Sequence, residues 1–178
     1  MSKIEGVRPF LPVNVAVMTV SDTRTLENDT SGQVLIERIT AAGHRVADRC
    51  IVRDDVECIV GQLRTWIADG TVDVIVTTGG TGVTGRDVTP EAVRQVIDKE
   101  IPGFGELFRW ISYQKIRTST IQSRALAGVA GSTYIFSVPG STGACKDAWD
   151  EILVHQLDSR HLPCNFVELM PRLKEHLR

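Results

Sequence analysis

Short, nearly continuous apolar runs alternate with amphipathic segments along most of this chain. The run Asn14–Val20 (NVAVMTV) lies between Pro12 and Ser21, and its length and valine content are typical of a strand buried on both faces. Further strands are predicted at 45–52, 72–78 and 134–138. The alternation predicts an α/β fold in which helices cover both faces of an open, mostly parallel sheet.

The segments between the runs carry apolar residues at helical spacing. Ile59, Leu63 and Trp66 belong to one such stripe, which begins near Val56 and is followed by Gly70, a typical helix end. Further helices are predicted at 32–42 and 142–157.

Charge and hydropathy exclude several classes of partner. The chain has 20 Lys and Arg against 22 Asp and Glu, a net charge of −2, so we expect no general affinity for nucleic acid or anionic membrane. No apolar run is long enough to span a bilayer, and residues 1–12 do not resemble a signal peptide, so a cytoplasmic location is expected. The four cysteines are scattered without a CxxC pair, so no metal cluster is expected.

The loops that follow the predicted strands are the candidate site, because ligands of open α/β sheets bind beyond the carboxyl ends of the strands. Ser21 and Asp22 begin the first of these loops, which continues into DTSG at 29–32, and a helix N-cap is the favoured interpretation there. Asp54 and Asp55 follow the second strand. They either cap a helix or offer carboxylate oxygens to Mg²⁺, and the sequence leaves both interpretations open.

The loop after the third strand, GGTGVTGRD at 79–87, contains four glycines within seven residues. Such a loop lets backbone N–H groups approach a phosphate. Thr89 is predicted to cap the following helix, with Pro90 in its first position and Glu91 complementing the helix dipole. Because a helix start rich in free amides binds anions, we favour a ligand site, with Asp87 as metal ligand or orienting group.

The sequence of this loop matches neither of two standard phosphate-binding motifs. Gly80, Gly82 and Gly85 have GxGxxG spacing, but they follow the third strand rather than the first, and about twenty residues later the chain reads PGFG at 102–105. Arg86 and Asp87 occupy the positions where the phosphate-binding loop of nucleotide hydrolases needs Lys and Ser or Thr. A dinucleotide-dependent oxidoreductase is therefore disfavoured.

Two further segments carry groups suited to phosphate. The turn PGST at 139–142 is a second glycine turn before a helix. The segment STIQSR at 119–124 offers hydroxyls and one guanidinium, although Arg124 is equally interpretable as a surface residue. The chain shows no Ser/His/Asp or Cys/His arrangement, so the chemistry expected is positioning and charge neutralisation, as in phosphoryl-type transfer.

These motifs together resemble the molybdopterin adenylyltransferase family, in its molybdenum cofactor biosynthesis protein B (MoaB/MogA) branch. The resemblance covers about 14–164 and rests on motifs that follow one another in family order: SD at 21–22, DTSG at 29–32, IVRDD at 51–55, TTGGTG at 77–82, DVTPEA at 87–92, PGFGELFR at 102–109, SR at 123–124 and VPGST at 138–142. The string of GGTG, DVTPEA and PGFGE is highly specific.

The resemblance implies a three-layer αβα, molybdopterin-binding-like domain. We assign it to 13–165, with 1–12 as an N-terminal extension and 166–178 as a C-terminal tail. It also implies Mg²⁺-dependent transfer of AMP from ATP to the terminal phosphate of molybdopterin, with release of pyrophosphate. The expected assembly is a homotrimer or a dimer of trimers, and the expected downstream partner is a molybdate-inserting enzyme.

The matching positions give a residue-level hypothesis. Asp54 and Asp87 correspond to the functional aspartates of the family, and they are the candidate catalytic residues and Mg²⁺ ligands. Ser123 and Arg124 match the pterin-phosphate side. The candidate nucleotide- and pterin-binding residues are Ser21, Asp22, Gly79, Gly80, Thr81, Gly82, Ser123, Arg124, Gly140 and Ser141.

Two alternatives remain open at the level of sequence. One is a weak or inactive paralogue that binds molybdopterin or nucleotide without turnover. The other is a scaffold whose assembled surfaces bind partners in cofactor assembly. Retention of both Asp54 and Asp87 favours an active enzyme.

Overall fold

The computed structural model describes residues 3–4 and 8–175, and within them two sheets. Its strands are β1 (Lys3–Ile4), β2 (Asn14–Val20), β3 (Arg45–Val52), β4 (Val74–Thr78), β5 (Lys99–Glu100), β6 (Leu126–Ala130), β7 (Thr133–Val138) and β8 (His161–Leu162). The main sheet has six strands in the order β3-β2-β4-β7-β6-β5, in which the first four are mutually parallel, β6 pairs antiparallel with β7, and β5 pairs antiparallel with β6. The small sheet pairs β1 with β8.

Helices cover both faces of the main sheet, which confirms the predicted three-layer α/β fold. They are α1 (Thr30–Ala41), α2 (Val56–Asp69), α3 (Thr89–Arg94), α4 (Pro102–Ile116), α5 (Thr142–Ala148), α6 (Val154–Gln156) and α7 (Phe166–Leu169). The helices α1, α4 and α5 contribute to one apolar core and α2 and α3 to the other.

Successive side chains of β2 enter opposite cores, because side chains alternate across a strand. Val15 and Val17 pack with α1, α4 and α5, whereas Ala16 and Met18 pack with α2 and α3. All four are fully buried. A strand covered on both sides has no polar face, which explains the continuous apolar run in the sequence.

The start of α1 and the end of α2 carry the caps that the sequence predicted. The Asp29 carboxylate is buried and accepts a hydrogen bond from the Gly32 N–H at 2.9 Å, so the DTSG motif caps α1. It also accepts hydrogen bonds from the Thr19 hydroxyl at 2.7 Å and the Arg49 guanidinium at 3.0 Å. Gly70, with a φ of +73°, ends α2.

Several local predictions were wrong in detail. The helix predicted over 142–157 is interrupted by a π-helical turn, Trp149–Leu153, between α5 and α6. Thr89 does not cap α3, whose N-cap is Val88, because the Thr89 hydroxyl donates to the Gly79 carbonyl instead. Antiparallel β6 was not predicted, since its small residues (LAGVA) carry no strong strand signal.

The segment assigned to a C-terminal tail contacts the domain. Phe166 packs on Tyr134, with ring centroids 4.8 Å apart, and the Tyr134 hydroxyl donates to the Phe166 carbonyl at 3.1 Å. Residues 1, 2 and 5–7 of the predicted extension and 176–178 of the predicted tail lie outside the described residues. None of the helices in the described part of the chain is long and apolar enough to cross a membrane.

Candidate functional site

A cavity of about 390 Å³ opens beyond the carboxyl ends of β4 and β7, in the size range of small-molecule sites. The glycine loop contributes Gly79, Gly80, Thr81, Gly82 and Asp87. Helix α4 contributes Phe108, Ser112 and Ile116, the following 3₁₀ helix Arg117–Gln122 contributes Ser119 and Gln122, and Ser123 follows directly after it. The β7–α5 turn and the start of α5 contribute Pro139, Gly140, Ser141 and Ala144.

Two glycines allow the loop to leave β4 sharply. Gly79 has a φ of +103°, and a Cβ there would lie 2.3 Å from the Val20 carbonyl oxygen. Gly80 has a φ of +64°, and a Cβ there would lie 2.4 Å from the Thr89 hydroxyl. Because any side chain at either position would be strained and would collide with a neighbour, both positions require glycine.

The loop is held from behind through its carbonyl groups. The Thr89 hydroxyl donates to the Gly79 carbonyl at 2.8 Å, and the Thr89 N–H donates to the Gly80 carbonyl at 3.0 Å. The N–H groups of Gly80 and Thr81 donate to no acceptor in the described part of the chain. Free amides at the lip of a cavity are suited to bind phosphate oxygens.

Arg124 supports the same loop instead of lining the cavity. Its guanidinium donates to the carbonyls of Gly82 and Asp87, each at 2.6 Å, and forms an ion pair with Glu91. The Arg124 N–H donates to the Thr81 carbonyl at 2.9 Å. In this structure the guanidinium therefore bonds to the loop, whereas the neighbouring Ser123 lines the cavity.

Asp87 is held in its ionised form. Burial acts to raise its pKa, but hydrogen bonds from the Thr84 hydroxyl at 2.6 Å and the Thr84 N–H at 2.9 Å, together with the Gly82 N–H and the Arg124 charge, lower the pKa below its ordinary value. This carboxylate is therefore fixed in position and charged at the cavity edge.

Asp54 has the opposite electrostatic environment. It is half-buried beside Gly80, where its Oδ1 lies 3.3 Å from the position that a Gly80 Cβ would take. Burial raises its pKa, and the negative charge of Asp87 raises it further. A divalent cation between the two carboxylates would remove this repulsion, and carboxylate oxygens are the ligands that Mg²⁺ prefers.

The two carboxylates fit a cation that takes its remaining ligands from water and substrate phosphates, as Mg²⁺ commonly does. No group of three or more His, Cys, Asp or Glu side chains within residues 3–4 and 8–175 forms a complete metal site.

Ser21 and Asp22 lie outside the wall of the main cavity. They line a neighbouring depression together with Arg24, Arg49 and Arg53. The Ser21 hydroxyl accepts hydrogen bonds from the N–H groups that follow it in its own turn. Asp22 accepts a hydrogen bond from the Asp54 N–H at 3.3 Å and forms an ion pair with Arg86, so it connects the first loop with Asp54 and the glycine loop.

The wall formed by α4 was missed in the sequence. Phe108, Ser112 and Ile116 recur every four residues and therefore lie on one helical face, which turns toward the cavity. Arg117 then adopts a φ of +53°, which is uncommon for a residue other than glycine, and the chain turns into the segment that presents Ser119 and Gln122. The four-residue spacing of these side chains in the sequence could have predicted that they share one face of the helix.

The chain matches known proteins over most of its length. A family model described as "probable molybdopterin binding domain" matches residues 16–159. Molybdenum cofactor biosynthesis protein B of Escherichia coli (strain K12) is 49% identical over 166 residues, covering 93% of this chain and 96% of the relative. The protein of the same name from Staphylococcus carnosus is 48% identical over 163 residues, covering 89% and 95%.

Solved structures agree with the sequence matches. A crystal structure of molybdenum cofactor biosynthesis protein B has a TM-score of 0.85 and 41% identity, and the match covers 94% of this chain and 99% of the other. The tungsten cofactor synthesizing protein MoaB from Pyrococcus furiosus has a TM-score of 0.72 and 36% identity, over 80% of this chain and 91% of the other.

Proposed function

This chain belongs to the molybdenum cofactor biosynthesis protein B family, in the wider MoaB/MogA group, and on that premise we propose that it transfers AMP from ATP to molybdopterin. Its role lies in molybdenum cofactor biosynthesis. The observation that carries the proposed reaction is that free loop amides at Gly80 and Thr81 and the Asp87 carboxylate line one cavity, with the Asp54 carboxylate beside Gly80. This combination suits two phosphorylated substrates and a hard cation.

The proposed reaction is a displacement at the α-phosphorus of ATP. An oxygen of the terminal phosphate of molybdopterin forms a bond to the α-phosphorus, and the bond from that phosphorus to the bridging oxygen of pyrophosphate breaks. The electron pair leaves with pyrophosphate. Such a reaction requires alignment of the two phosphates and neutralisation of their charge, and it needs no nucleophilic side chain.

Each group of the cavity has a role in this proposal. The Gly80 and Thr81 amides bind phosphate oxygens, and Mg²⁺, when bound, supplies neutralisation of the triphosphate charge. Asp87 stays ionised as a cation ligand and Asp54 is the second ligand. Gly140, Ser141 and Ser123 also line the cavity, and in this proposal they contact the second phosphate.

Direct detection of the product tests the activity. Protein incubated with molybdopterin, Mg²⁺ and ATP labelled at the α-phosphate is expected to yield labelled, adenylylated molybdopterin and unlabelled pyrophosphate. Mg·ATP is also expected to raise the melting temperature, because a ligand of the folded state stabilises it, whereas NAD is not. Binding of both substrates without product would identify the inactive paralogue instead.

The wider setting follows from the same proposal. We propose that the protein acts in the cytoplasm as a homotrimer or dimer of trimers and passes its product to a molybdate-inserting enzyme. If the protein is instead a scaffold, we expect the same oligomeric assembly but no adenylylated molybdopterin in the labelled assay.

A further inference from the structure

Two histidines that take no part in the catalytic cavity lie against each other. His155 belongs to α6 and His161 to β8, and the short turn 157–160 connects them. Their ring centroids are 5.3 Å apart, and the ring planes are tilted by 37°. Neither histidine lines the main cavity or the depression beside Ser21. The proposed reaction therefore gives this pair no role.

The Nδ1 atom of His161 is buried and has no hydrogen-bond partner. The ring nitrogens of the half-buried His155 also make no hydrogen bond or ion pair within residues 3–4 and 8–175. Buried side-chain nitrogens are almost always bonded to protein, to water or to a bound ion. The pair therefore lacks a group that would complete its bonding.

The other buried nitrogen without a partner differs from this one. It is Nε of Arg49, whose guanidinium already donates through its two other nitrogens to Asp29 and Gln33. His161 has no such second bond from its ring in the described part of the chain. The unmet bonding at His161 is therefore the stronger indication of a ligand.

The backbone holds the two imidazoles in a fixed relation. The His161 N–H donates to the Asp158 carbonyl at 3.0 Å, and the His161 carbonyl accepts from the buried Asn165 amide at 3.1 Å. His161 also pairs with Ile4 of β1. At the start of the turn, the Asp158 N–H donates to the His155 carbonyl at 3.3 Å. Groups fixed in this way bind a ligand with little further loss of conformational entropy.

The turn between the histidines does not oppose a cation. Its only basic residue, Arg160, donates two hydrogen bonds to the carboxylate of its only acidic residue, Asp158, at 2.9 and 2.8 Å. The Arg160 guanidinium also lies over the Phe10 ring, 5.1 Å from its centroid. The charges of the turn therefore neutralise each other.

We propose that His155 and His161 bind one divalent late transition-metal ion, represented by Zn²⁺, through one ring nitrogen each. Neutral imidazole suits Zn²⁺, Cu²⁺ and Ni²⁺, whereas Mg²⁺ prefers oxygen ligands, so this site and the catalytic carboxylates select different ions. With metal–nitrogen bonds of about 2 Å, two imidazoles on one tetrahedral ion have ring centroids about 5 Å apart, close to the separation of this pair. No third His, Cys, Asp or Glu among the described residues joins them, so water completes the coordination.

The ion would join α6 to β8, and through β8 to the small sheet that holds β1. A ligand that binds the folded state alone stabilises it in proportion to its excess over the dissociation constant. Zn²⁺ is therefore expected to raise the melting temperature. This effect does not depend on the proposed AMP transfer.

Calorimetric titration of Zn²⁺ tests the site. The full-length protein, without a histidine tag and freed of metal by a chelator that is then removed, is titrated in the presence of excess Mg²⁺. We expect one Zn²⁺ per chain. His155→Gln and His161→Gln should each weaken binding by about tenfold or more, because each removes one of two protein ligands. The matched control Cys164→Ser, which removes an exposed thiol near His161, should change the affinity by less than about twofold.

Two further measurements locate the ion. The double variant Asp54→Asn with Asp87→Asn should bind Zn²⁺ as the parent does, because the catalytic carboxylates are not its ligands. Cu²⁺ used as a spectroscopic probe should show magnetic coupling to two nitrogen nuclei in the parent and to one in His155→Gln. This signature identifies the ligands directly, even if His161→Gln fails to fold.

The contrary results are distinct from a failure of the proposed function. A parent that binds no Zn²⁺ would overturn the proposal and leave water as the partner of the His161 nitrogen. Loss of Zn²⁺ binding in the double aspartate variant or in Cys164→Ser, with unchanged binding in both histidine variants, would also overturn it. If the parent binds Zn²⁺ through both histidines but transfers no AMP, the metal site stands and the proposed activity fails.

Discussion

At the scale of single residues, the two carboxylates of the site have pKa values shifted in opposite directions. The pKa of Asp54 is raised by burial and by the charge of Asp87. The pKa of Asp87 is lowered, because hydrogen bonds from Thr84 and Gly82 and the Arg124 charge outweigh its burial. Ionised Asp87 therefore stabilises the folded state, whereas ionised Asp54 destabilises it. Replacement of each by asparagine measures the two effects separately.

Asp87→Asn is expected to lower AMP transfer by a factor on the order of a hundred, as removal of a charge that stabilises the transition state does. Sequence alone predicts almost no loss of stability, but the structure shows hydrogen bonds from Thr84 to this carboxylate, so we expect a loss of about 1 kcal/mol. The measurements are the labelled AMP-transfer assay and chemical unfolding. A variant of full activity would mean that Asp87 only shapes the loop.

The lowered pKa of Asp87 fixes the pH dependence of this loss. Its stabilising contribution is present above the unfolded pKa of 3.8 and disappears as pH falls through the lower folded value. The stability difference between parent and Asp87→Asn should therefore shrink toward zero in acid. A difference that persists undiminished at the lowest pH at which the protein is still folded would contradict the assignment.

Asp54→Asn is expected to raise the melting temperature at neutral pH without metal, while AMP transfer falls. The ionised carboxylate is unfavourable in the folded state, because burial and Asp87 oppose its charge. This destabilisation develops as pH rises from the unfolded value of 3.8 through the raised folded pKa, so the gain should vanish in acid. Melting curves across pH measure it, and added Mg²⁺ should stabilise the parent more than the variant.

At the scale of structural elements, the glycine loop depends on Arg124, which donates to the carbonyls of Gly82 and Asp87. Arg124→Lys keeps the charge but loses the planar fork that reaches both carbonyls. We expect weaker Mg·ATP binding by about tenfold and faster amide hydrogen exchange in residues 79–87. Arg94→Lys, in an exposed ion pair with Glu100, is the matched control.

The hydrogen-exchange measurement decides the role of Arg124. A positioning role requires that exchange in the loop accelerates in the absence of any ligand. If affinity for pterin phosphate falls while loop exchange stays unchanged, Arg124 contacts the substrate directly, as the sequence motif SR at 123–124 had suggested.

At the scale of the whole molecule, α4 has a divided surface. The segment 103–113 is rich in bulky apolar side chains, and two of them, Phe104 and Phe108, are buried in the core of the monomer. Leu107 and Trp110 are 42% and 65% exposed on the same helix. Exposed bulky side chains that recur at helical spacing are typical of a contact with another protein surface, and the proposed assembly supplies a second copy.

Sedimentation is therefore expected to show a species larger than a monomer at micromolar concentration. Trp110→Glu should shift the protein toward monomer, whereas Leu11→Glu, which changes an exposed apolar residue outside α4, should not. A parent protein that sediments as a clean monomer would remove the support for the assembly.

The sequence by itself determined the layers of the fold and the bounds of the glycine loop that lines the cavity. The run at 14–20 became a strand with the predicted bounds, because a strand buried on both faces must be apolar throughout. The strand at 45–52 also has the predicted bounds, although it lies at the sheet edge and its first half is exposed. The loop 79–87 was recognisable because its backbone geometry admits only glycine at Gly79 and Gly80. The apolar content of a buried strand and the positive φ angles of a turn both act on residues that are adjacent in the chain. The local sequence is therefore sufficient to predict them.

Only the tertiary structure decided which groups meet. Arg124 turned out to bond to loop carbonyls, and Ser112 turned out to face the cavity, since both contacts join residues distant along the chain. The opposite pKa shifts of Asp54 and Asp87 likewise depend on their burial and mutual proximity, which no sequence spacing specifies. Hydrogen bonding and electrostatic coupling depend on distances in space, and packing of the elements fixes those distances.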